Sequence, residues 1–190
     1  MKKSLILLTL VSFAFFSGHA NAATNTGLHR EAPADSLLNI PAPAFSLKDL
    51  NGKTVRLADY KGKILVLDFW ATWCVPCRNS FPIMKTVMAK YQGDPGVQFL
   101  FIDTKEVADP KKVKSFLAKN HYPFPVAFDE AGADGKYTTF QRYQLPGIPA
   151  KYVIGPDGNI RFQELGFNTN KTTDESVKEL SAMIETLRGQ

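Results

Sequence analysis

The sequence predicts an α/β fold in which helices flank a central mixed β-sheet. Two nearly continuous apolar runs, residues 64–70 and 97–102, are typical of strands that are buried on both faces of a sheet. Helical periodicity follows each run, and a third strand and a two-stranded hairpin come later in the chain. Strands that alternate with helices and end in an antiparallel hairpin indicate a mixed sheet with helices on both faces.

Turn residues bound the predicted strands. Asn51-Gly52 tolerates the positive φ of a tight turn and predicts a β-hairpin near the start of the domain. A Gly-Pro-Asp-Gly turn at 155–158 predicts a second hairpin. The predicted strands are residues 45–50, 54–57, 64–70, 97–102, 125–128, 150–154 and 159–166.

The predicted helices follow capping residues or apolar periodicity. Asp109 and Pro110 fit an N-cap and a proline at the first helical position. Thr172 and Glu175 have the spacing of a capping box. The predicted helices are residues 74–91, a helix from 110, residues 135–144 and a helix from 172.

The first 22 residues have the features of a secretory signal. Lys2 and Lys3 precede a mostly apolar run at 5–16, and Ala-Asn-Ala at 20–22 fits the small-x-small cleavage pattern. The apolar run is shorter than the roughly 20 residues that span a bilayer. We therefore expect residues 1–22 to be a signal peptide and the protein to be periplasmic, with an uncleaved membrane anchor as the alternative.

The remaining chain predicts a leader and one domain. Residues 23–43 are rich in Ala, Pro, Asn and Thr, which predicts a flexible leader, and residues 44–190 suffice for one core. The net charge of +5 falls to +3 without the signal peptide, because 21 basic and 18 acidic residues remain. This small, dispersed excess makes nucleic acid an unlikely partner.

Both cysteines and both tryptophans lie in the ten residues DFWATWCVPC, at 68–77. A disulfide across three residues closes a tiny loop and contributes roughly 2 kcal/mol in the chain-entropy model, which is little for a structural brace. A zinc site needs four ligands, and the mature chain adds only His29 and His121. Covalent haem attachment needs a histidine where Arg78 stands. Thiol–disulfide exchange is the best-supported interpretation.

The positions of the cysteines suit that chemistry. Cys74 follows a predicted buried strand and begins a helix, whose free N–H groups and positive dipole end favour a thiolate. Pro76 fits the first turn of that helix, where its missing N–H costs little. Cys77 follows within that turn, so that the first sulfur can attack a disulfide and the second can resolve the mixed disulfide.

The motif FWATWCVPC, the preceding hairpin, the strand 64–70 and Gly-Ile-Pro at 147–149 together resemble the thioredoxin superfamily. Within it, the extracytoplasmic TlpA/ResA-like group is most similar, and the resemblance spans roughly residues 40–188. It implies a thioredoxin-like fold with an N-terminal β-hairpin and an αβ insertion. It also implies that Cys74 is an exposed nucleophile and Cys77 the resolving thiol.

The same resemblance implies which residues contact the substrate. Pro149 matches a proline that is cis in this family and faces the cysteines, and Ile148 before it would offer backbone groups to a substrate strand. An ordinary trans turn proline is the alternative for Pro149. Trp73 would form part of an apolar rim, and Pro76 completes the predicted substrate-binding set. We expect no metal and no cofactor besides the redox-active disulfide.

Asp68 matches the buried aspartate of thioredoxin, six residues before the first cysteine. Burial would raise its affinity for a proton, which suits a proton relay to and from Cys77. A solvated or salt-bridged aspartate is the alternative. TlpA/ResA-like proteins often carry asparagine at this position and a glutamate three residues after the second cysteine, where this chain has Ser80. The acid–base role is therefore expected to rest on Asp68 alone.

The dipeptide Val75-Pro76 resembles the Gly-Pro of reducing thioredoxins, which favours a protein-disulfide reductase. A reductant in an oxidising compartment needs electrons from across the membrane. The resemblance implies a membrane thiol-relay protein of the DsbD/CcdA kind as electron donor. It implies disulfide-bearing exported proteins, such as apocytochrome c, as acceptors, and we expect a monomer.

Two other functions stay open at this point. A peroxiredoxin-like thiol peroxidase would look similar over residues 45–68, although its Pro-x-x-x-Thr-x-x-Cys pattern does not occur before Cys74. A non-catalytic module could instead use the groove at Ile148 and Pro149 to bind a peptide.

Overall fold

The computed structural model describes residues 37–189. The predicted signal peptide and most of the predicted leader lie outside these residues. Within the part described, no helix is long and apolar enough to cross a membrane.

Eight strands form one mixed sheet. They are β1 (Ile40–Pro41), β2 (Ser46–Asp49), β3 (Thr54–Arg56), β4 (Ile64–Trp70), β5 (Val97–Asp103), β6 (Val126–Phe128), β7 (Ala150–Ile154) and β8 (Asn159–Leu165). Their order across the sheet is β1-β8-β7-β4-β5-β6-β2-β3. The central strands β4, β5 and β6 are parallel, and the other neighbouring pairs are antiparallel. The structure thus has the predicted mixed sheet and the predicted hairpin β2–β3.

The helices are α1 (Val75–Lys90), α2 (Pro110–Lys119), α3 (Thr138–Arg142) and α4 (Thr173–Arg188), and a 3-10 turn spans Leu57–Tyr60. Helix α2 and strand β6 supply the predicted αβ insertion. The Asp109 side chain accepts a hydrogen bond from the Lys112 N–H at 3.0 Å, as expected for an N-cap. Thr172 and Glu175 bond each other's backbone N–H groups and form the predicted capping box.

The sheet begins earlier than the sequence predicted. Residues 40–41, assigned to the leader that was expected to end at 43, pair with β8. Two further backbone hydrogen bonds, Leu38 N–H to Arg161 O and Ala42 N–H to Gly158 O, extend this pairing at 3.0 Å each. The prediction was wrong here because β1 has only two residues, and its partner strand lies more than 100 residues away in sequence.

The third helix is shorter than predicted. Residues 135–144 were expected to be helical, but Gly135 has φ +73° and belongs to a turn in which the Gly132 N–H bonds the Lys136 carbonyl at 2.8 Å. A residue with positive φ cannot continue a right-handed helix. Helix α3 therefore begins only at Thr138.

Strand β4 divides the core into two apolar clusters. All seven of its residues are buried. Because side chains alternate along a strand, Ile64, Val66 and Trp70 pack with α1 and α4, whereas Leu65, Leu67 and Phe69 pack on the opposite face. By the same alternation, Asp68 lies on the α1 side of the sheet. Both cysteines lie on that side as well.

Candidate active site

Cys74 and Cys77 form a disulfide at the N-terminus of α1. Cys74 is the N-cap residue, and Pro76 lies in the first turn. The backbone N–H of Cys77 donates a hydrogen bond to Cys74 Sγ at 3.2 Å. This N–H is one of the helix-terminal donors that have no partner within the helix. The same donor and the helix dipole would stabilise a thiolate at Cys74 after reduction.

Cys74 is covered in this disulfide form, which corrects the prediction of an exposed nucleophile. Its exposed fraction is 2%, and Cys77 is fully buried. The short bridge to a core-facing Cys77 keeps the Cys74 side chain against the core. The neighbouring side chains point outward instead, because Trp73 is 56% and Val75 54% exposed. Pro76 is exposed as well.

The Ile148–Pro149 peptide bond is cis, so the trans alternative is wrong. Pro149 is buried, and its carbonyl accepts a hydrogen bond from the Gly166 N–H at 2.8 Å. Ile148 packs against the apolar cluster that contains both cysteines. The Ile148 N–H and carbonyl make no hydrogen bond with any residue of 37–189. These two groups can pair with an extended peptide from another chain.

Asp68 is fully buried on the α1 side of β4, so it is not solvated. Neither carboxylate oxygen has a hydrogen-bond partner among the described residues. Lys151 on β7 lies directly opposite, and its Nζ is 3.0 Å from Oε2 of Glu164 on β8. Burial raises the pKa of Asp68 to about 7, while Lys151 opposes the rise and Glu164 adds to it. Asp68 can therefore bind and release a proton near neutral pH.

A cavity of about 270 Å³ lies beside the charged neighbours of Asp68 and the first turns of α1. Ser80, Pro149, Lys151 and Glu164 line it. Ser80 is buried, and its hydroxyl donates to the Cys77 carbonyl at 2.7 Å. Ser80 thus holds the helix backbone, and the acidic side chains of the cavity come from other elements of the fold.

Glu106 holds the loop that precedes the disulfide. Its carboxylate accepts hydrogen bonds from the Thr72 N–H and, at 2.6 Å, from the Thr72 hydroxyl. Lys112 of α2 donates to the same carboxylate at 2.8 Å. In the adjacent residues, the Trp73 indole N–H donates to the Lys105 carbonyl at 3.3 Å. The segment after β5 therefore anchors the segment after β4.

Asp103, the last residue of β5, is a second buried carboxyl group near this loop. It is 2% exposed, and neither of its oxygens has a hydrogen-bond partner within the described chain. Burial and the negative charge of Glu106 together raise its pKa to about 8, against the opposing effect of Lys112. Burial also raises the pKa of Glu106, but hydrogen bonds from Lys112 and Thr72 outweigh it and hold that pKa below its usual value.

Sequence reasoning missed four of these polar residues: Asp103, Glu106, Lys151 and Glu164. Two signals could have found them. The carboxyl ends of parallel strands meet at one sheet edge, so residues after β5 could have been expected close to those after β4. Lys151 interrupts an apolar strand two residues after Pro149, where a buried charge requires a partner.

The profile of the AhpC/TSA family matches residues 38–163 of this sequence. The chain belongs to the AhpC/TSA family. This AhpC/TSA chain is 30% identical over 115 residues to the thiol-disulfide oxidoreductase ResA of Bacillus thuringiensis subsp. konkukian, a match that covers 60% of the chain. It is 32% identical over 113 residues to the thioredoxin-like protein YneN of Bacillus subtilis. The chain spans 62% of the length of each of these two relatives.

A solved structure extends the match over more of the AhpC/TSA chain. A candidate thiol:disulfide interchange protein DsbE from Chlorobium tepidum is 34% identical, with a TM-score of 0.62. The alignment covers 77% of this chain and 97% of that structure. The fold is therefore thioredoxin-like, and the chain is a TlpA/ResA-like member of the thioredoxin superfamily. Among residues 37–189, no group of three or more His, Cys, Asp and Glu side chains could hold a metal ion.

Proposed function

We propose that this protein is an exported thiol-disulfide oxidoreductase that reduces disulfides in periplasmic proteins. The observation that carries the proposal is the disulfide Cys74–Cys77 at the N-cap of α1. Its surroundings support the proposal. The Ile148 backbone groups in the cis-proline loop have no hydrogen-bond partner among residues 37–189, and the pKa of the buried Asp68 carboxyl group is near neutrality.

The reaction starts from the dithiol form. The Cys74 thiolate attacks one sulfur of a substrate disulfide, forms a mixed disulfide and releases the first substrate thiolate. Cys77, once deprotonated, attacks the Cys74 sulfur and releases the second substrate thiolate. Two electrons pass to the substrate, and the protein is left with the Cys74–Cys77 disulfide that the structure contains.

Asp68 is proposed as the base that deprotonates Cys77. Both residues lie on the α1 side of β4, and Asp68 has no competing hydrogen-bond donor among residues 37–189. A base with a pKa of about 7 binds protons reversibly at the pH at which such a protein works. In the reverse direction, the protonated carboxyl group returns the proton to the Cys77 sulfur.

The substrate is proposed to bind over the exposed rim around the disulfide. Trp73, Val75 and Pro76 present apolar surface to solvent. An extended substrate strand can pair with the Ile148 N–H and carbonyl while its disulfide meets Cys74. Pro149 itself cannot donate a hydrogen bond, and its carbonyl already binds Gly166.

Reduction of insulin disulfides tests the proposed reaction. The dithiol protein is expected to reduce insulin, and Cys74→Ser is expected to abolish the reaction. If Cys74→Ser no longer reduces insulin but cells that carry it keep the wild-type phenotype, the non-catalytic peptide-binding module is favoured instead. Rapid hydrogen peroxide consumption in excess thiol would favour the thiol peroxidase.

Export and electron supply form the remaining part of the proposal. We expect N-terminal sequencing of protein from a periplasmic extract to begin at Ala23, and a chain that keeps Met1 would contradict cleavage. The proposed donor is a membrane thiol-relay protein of the DsbD/CcdA kind, and the proposed acceptors are disulfide-bearing proteins such as apocytochrome c. Deleting that donor should leave Cys74 and Cys77 oxidised in cells, as measured by alkylation of free thiols.

A further inference from the structure

The loop between β4 and the disulfide is held by a side chain that lies 34 positions away in sequence. Glu106 accepts two hydrogen bonds from Thr72, one from its N–H and one from its hydroxyl. Thr72 is only 8% exposed, and the Glu106 side chain is 10% exposed. Both bonds are therefore sheltered from competing water, and bonds to a charged acceptor are stronger than neutral ones.

A neighbouring hydrogen bond positions Trp73, the exposed residue that precedes the nucleophile Cys74 in sequence. The Trp73 indole N–H donates to the carbonyl of Lys105, the residue before Glu106. Lys105 has a positive φ of 63°, a conformation that is uncommon for a residue with a side chain. The segment 104–106 is thus fixed in a particular backbone shape, and both Thr72 and Trp73 bind to it.

Asp103 lies three residues before Glu106, and neither of its buried side-chain oxygens has a hydrogen-bond partner in residues 37–189. A protonated Asp103 carries no charge, whereas an ionised Asp103 would repel the Glu106 carboxylate. The charged and titratable groups that face the pair are Lys112 of α2, Asp129 after β6 and Tyr137 before α3.

Two of these groups are already engaged. Lys112 binds Glu106 at 2.8 Å. Asp129 accepts the Thr104 hydroxyl at 3.0 Å and the N–H groups of Thr139 and Phe140 at 2.8 and 2.9 Å. Asp129 is thus held by three hydrogen-bond donors, whereas the Asp103 carboxyl group has no hydrogen-bond partner among residues 37–189.

We propose that Glu106 is a positioning residue for the Cys74–Cys77 centre, and that the proton on Asp103 keeps Glu106 bound to Thr72. Loss of that proton places two negative carboxylates side by side and weakens the hold on the loop. The inference builds on the proposed thiol–disulfide exchange, but the loop contact can be measured without any substrate.

The test is amide hydrogen exchange at Thr72 in the full, oxidised chain. Glu106→Ala removes both acceptors, so we expect the protection factor of the Thr72 amide to fall about tenfold or more. Glu106→Gln keeps one amide oxygen and serves if the alanine variant fails to fold, and its protection should fall about threefold to tenfold. Glu130→Ala, which changes an exposed glutamate after β6, is the matched control and should leave the protection factor unchanged.

The role of Asp103 has its own readout. The wild-type Thr72 protection factor should fall as pH rises through about 8, and this fall should be absent in Asp103→Asn. An unchanged protection factor in the Glu106 variants would overturn the positioning role. An equal pH-dependent fall in Asp103→Asn would overturn the role of its proton.

Activity separates this inference from the function on which it builds. If the wild type reduces insulin and Glu106→Ala lowers kcat/KM about tenfold, both stand. If the wild type reduces no disulfide while Thr72 exchange responds as expected, the proposed function fails and the loop contact stands. If the wild type reduces insulin and the Glu106 variants match it in Thr72 protection factor and in kcat/KM, the positioning role fails and the proposed function stands.

Discussion

Two buried aspartates lie near the disulfide on neighbouring strands, and they differ in the charged residue that faces them. Asp68 is fully buried on β4, Asp103 is 2% exposed at the end of β5, and burial raises their pKa values to about 7 and about 8. Lys151 opposes the rise at Asp68, whereas Glu106 adds to it at Asp103. Burial thus sets the direction of the pKa change in both, and the neighbouring charge with the larger effect is positive at Asp68 and negative at Asp103.

This difference suggests separate tasks for the two carboxyl groups. Asp68 changes its protonation near neutral pH, on the side of the sheet where Cys77 is buried. Asp103 keeps its proton at neutral pH, so it places no second negative charge beside Glu106. A lysine opposite one carboxyl group and a glutamate beside the other can therefore give one sheet a proton carrier and a neutral carboxyl group.

The largest expected effect concerns stability. Native Asp68 binds its proton more tightly than the unfolded chain, so its contribution is fully present below the unfolded pKa of 3.8 and lost as pH rises through about 7. The loss amounts to about 4 kcal/mol. The free energy of unfolding of Asp68→Asn, relative to wild type, should rise by this amount between pH 4 and pH 8.

Urea unfolding of the oxidised protein at several pH values measures this change. The matched variant Asp103→Asn should show the same sign, with its rise continuing to about pH 8 because that pKa is higher. If the difference in the free energy of unfolding between Asp68→Asn and wild type does not change with pH, the pKa of Asp68 in the fold is not raised.

The next effect is on the reaction rate. Asp68→Asn should slow insulin reduction at pH 7 about 100-fold, because Cys77 loses its base. Asp103→Asn should stay within about threefold of wild type at pH 7, because a neutral amide replaces a neutral carboxyl group of similar size beside Glu106. Equal slowing in the two variants would remove the distinction between them, and an unchanged rate in Asp68→Asn would remove Asp68 from the mechanism.

A smaller effect should appear in the titration of Asp68 itself. Lys151→Met removes the facing positive charge and should raise the pKa of Asp68, whereas Glu164→Gln removes a negative charge and should lower it. Carboxyl 13C chemical shifts followed through pH give both midpoints. Shifts of the same sign in the two variants would contradict the charge arrangement across β4, β7 and β8.

The smallest effect is expected at Lys112, which is 53% exposed. Lys112→Ala should raise the pKa of Asp103, because the positive charge that opposes the rise is lost. Solvent screens an exposed charge, so the change in insulin reduction at pH 7 should be less than about twofold. A larger loss would mean that Lys112, and not Thr72, fixes the position of Glu106.

The parts of the fold that depend on local pattern could be predicted from the sequence. The apolar runs of β4 and β5 and the capping box of α4 appear within one or two residues of their expected places. Three features of the site could be predicted as well. Asp68 and the cysteine pair lie in the motif at 68–77, and the cis-proline lies in Gly-Ile-Pro at 147–149.

The missed features depend on contacts between distant segments. Glu106 reaches Thr72 only because β4 and β5 are adjacent and parallel, and Lys151 faces Asp68 only through the register of β4 and β7. Strand β1 is too short to show a pattern. The burial of Cys74 follows from its bridge to a core-facing Cys77, and no property of residue 74 alone indicates it.

The equilibrium reduction potential of the Cys74–Cys77 couple tests the central claim most directly. The couple is measured against glutathione or a thioredoxin of known potential, and the fraction of dithiol is read by alkylation. A reductant of exported proteins should lie near about −270 mV, the value of thioredoxin, whereas about −120 mV, the value of the oxidant DsbA, would contradict the proposed direction of electron flow.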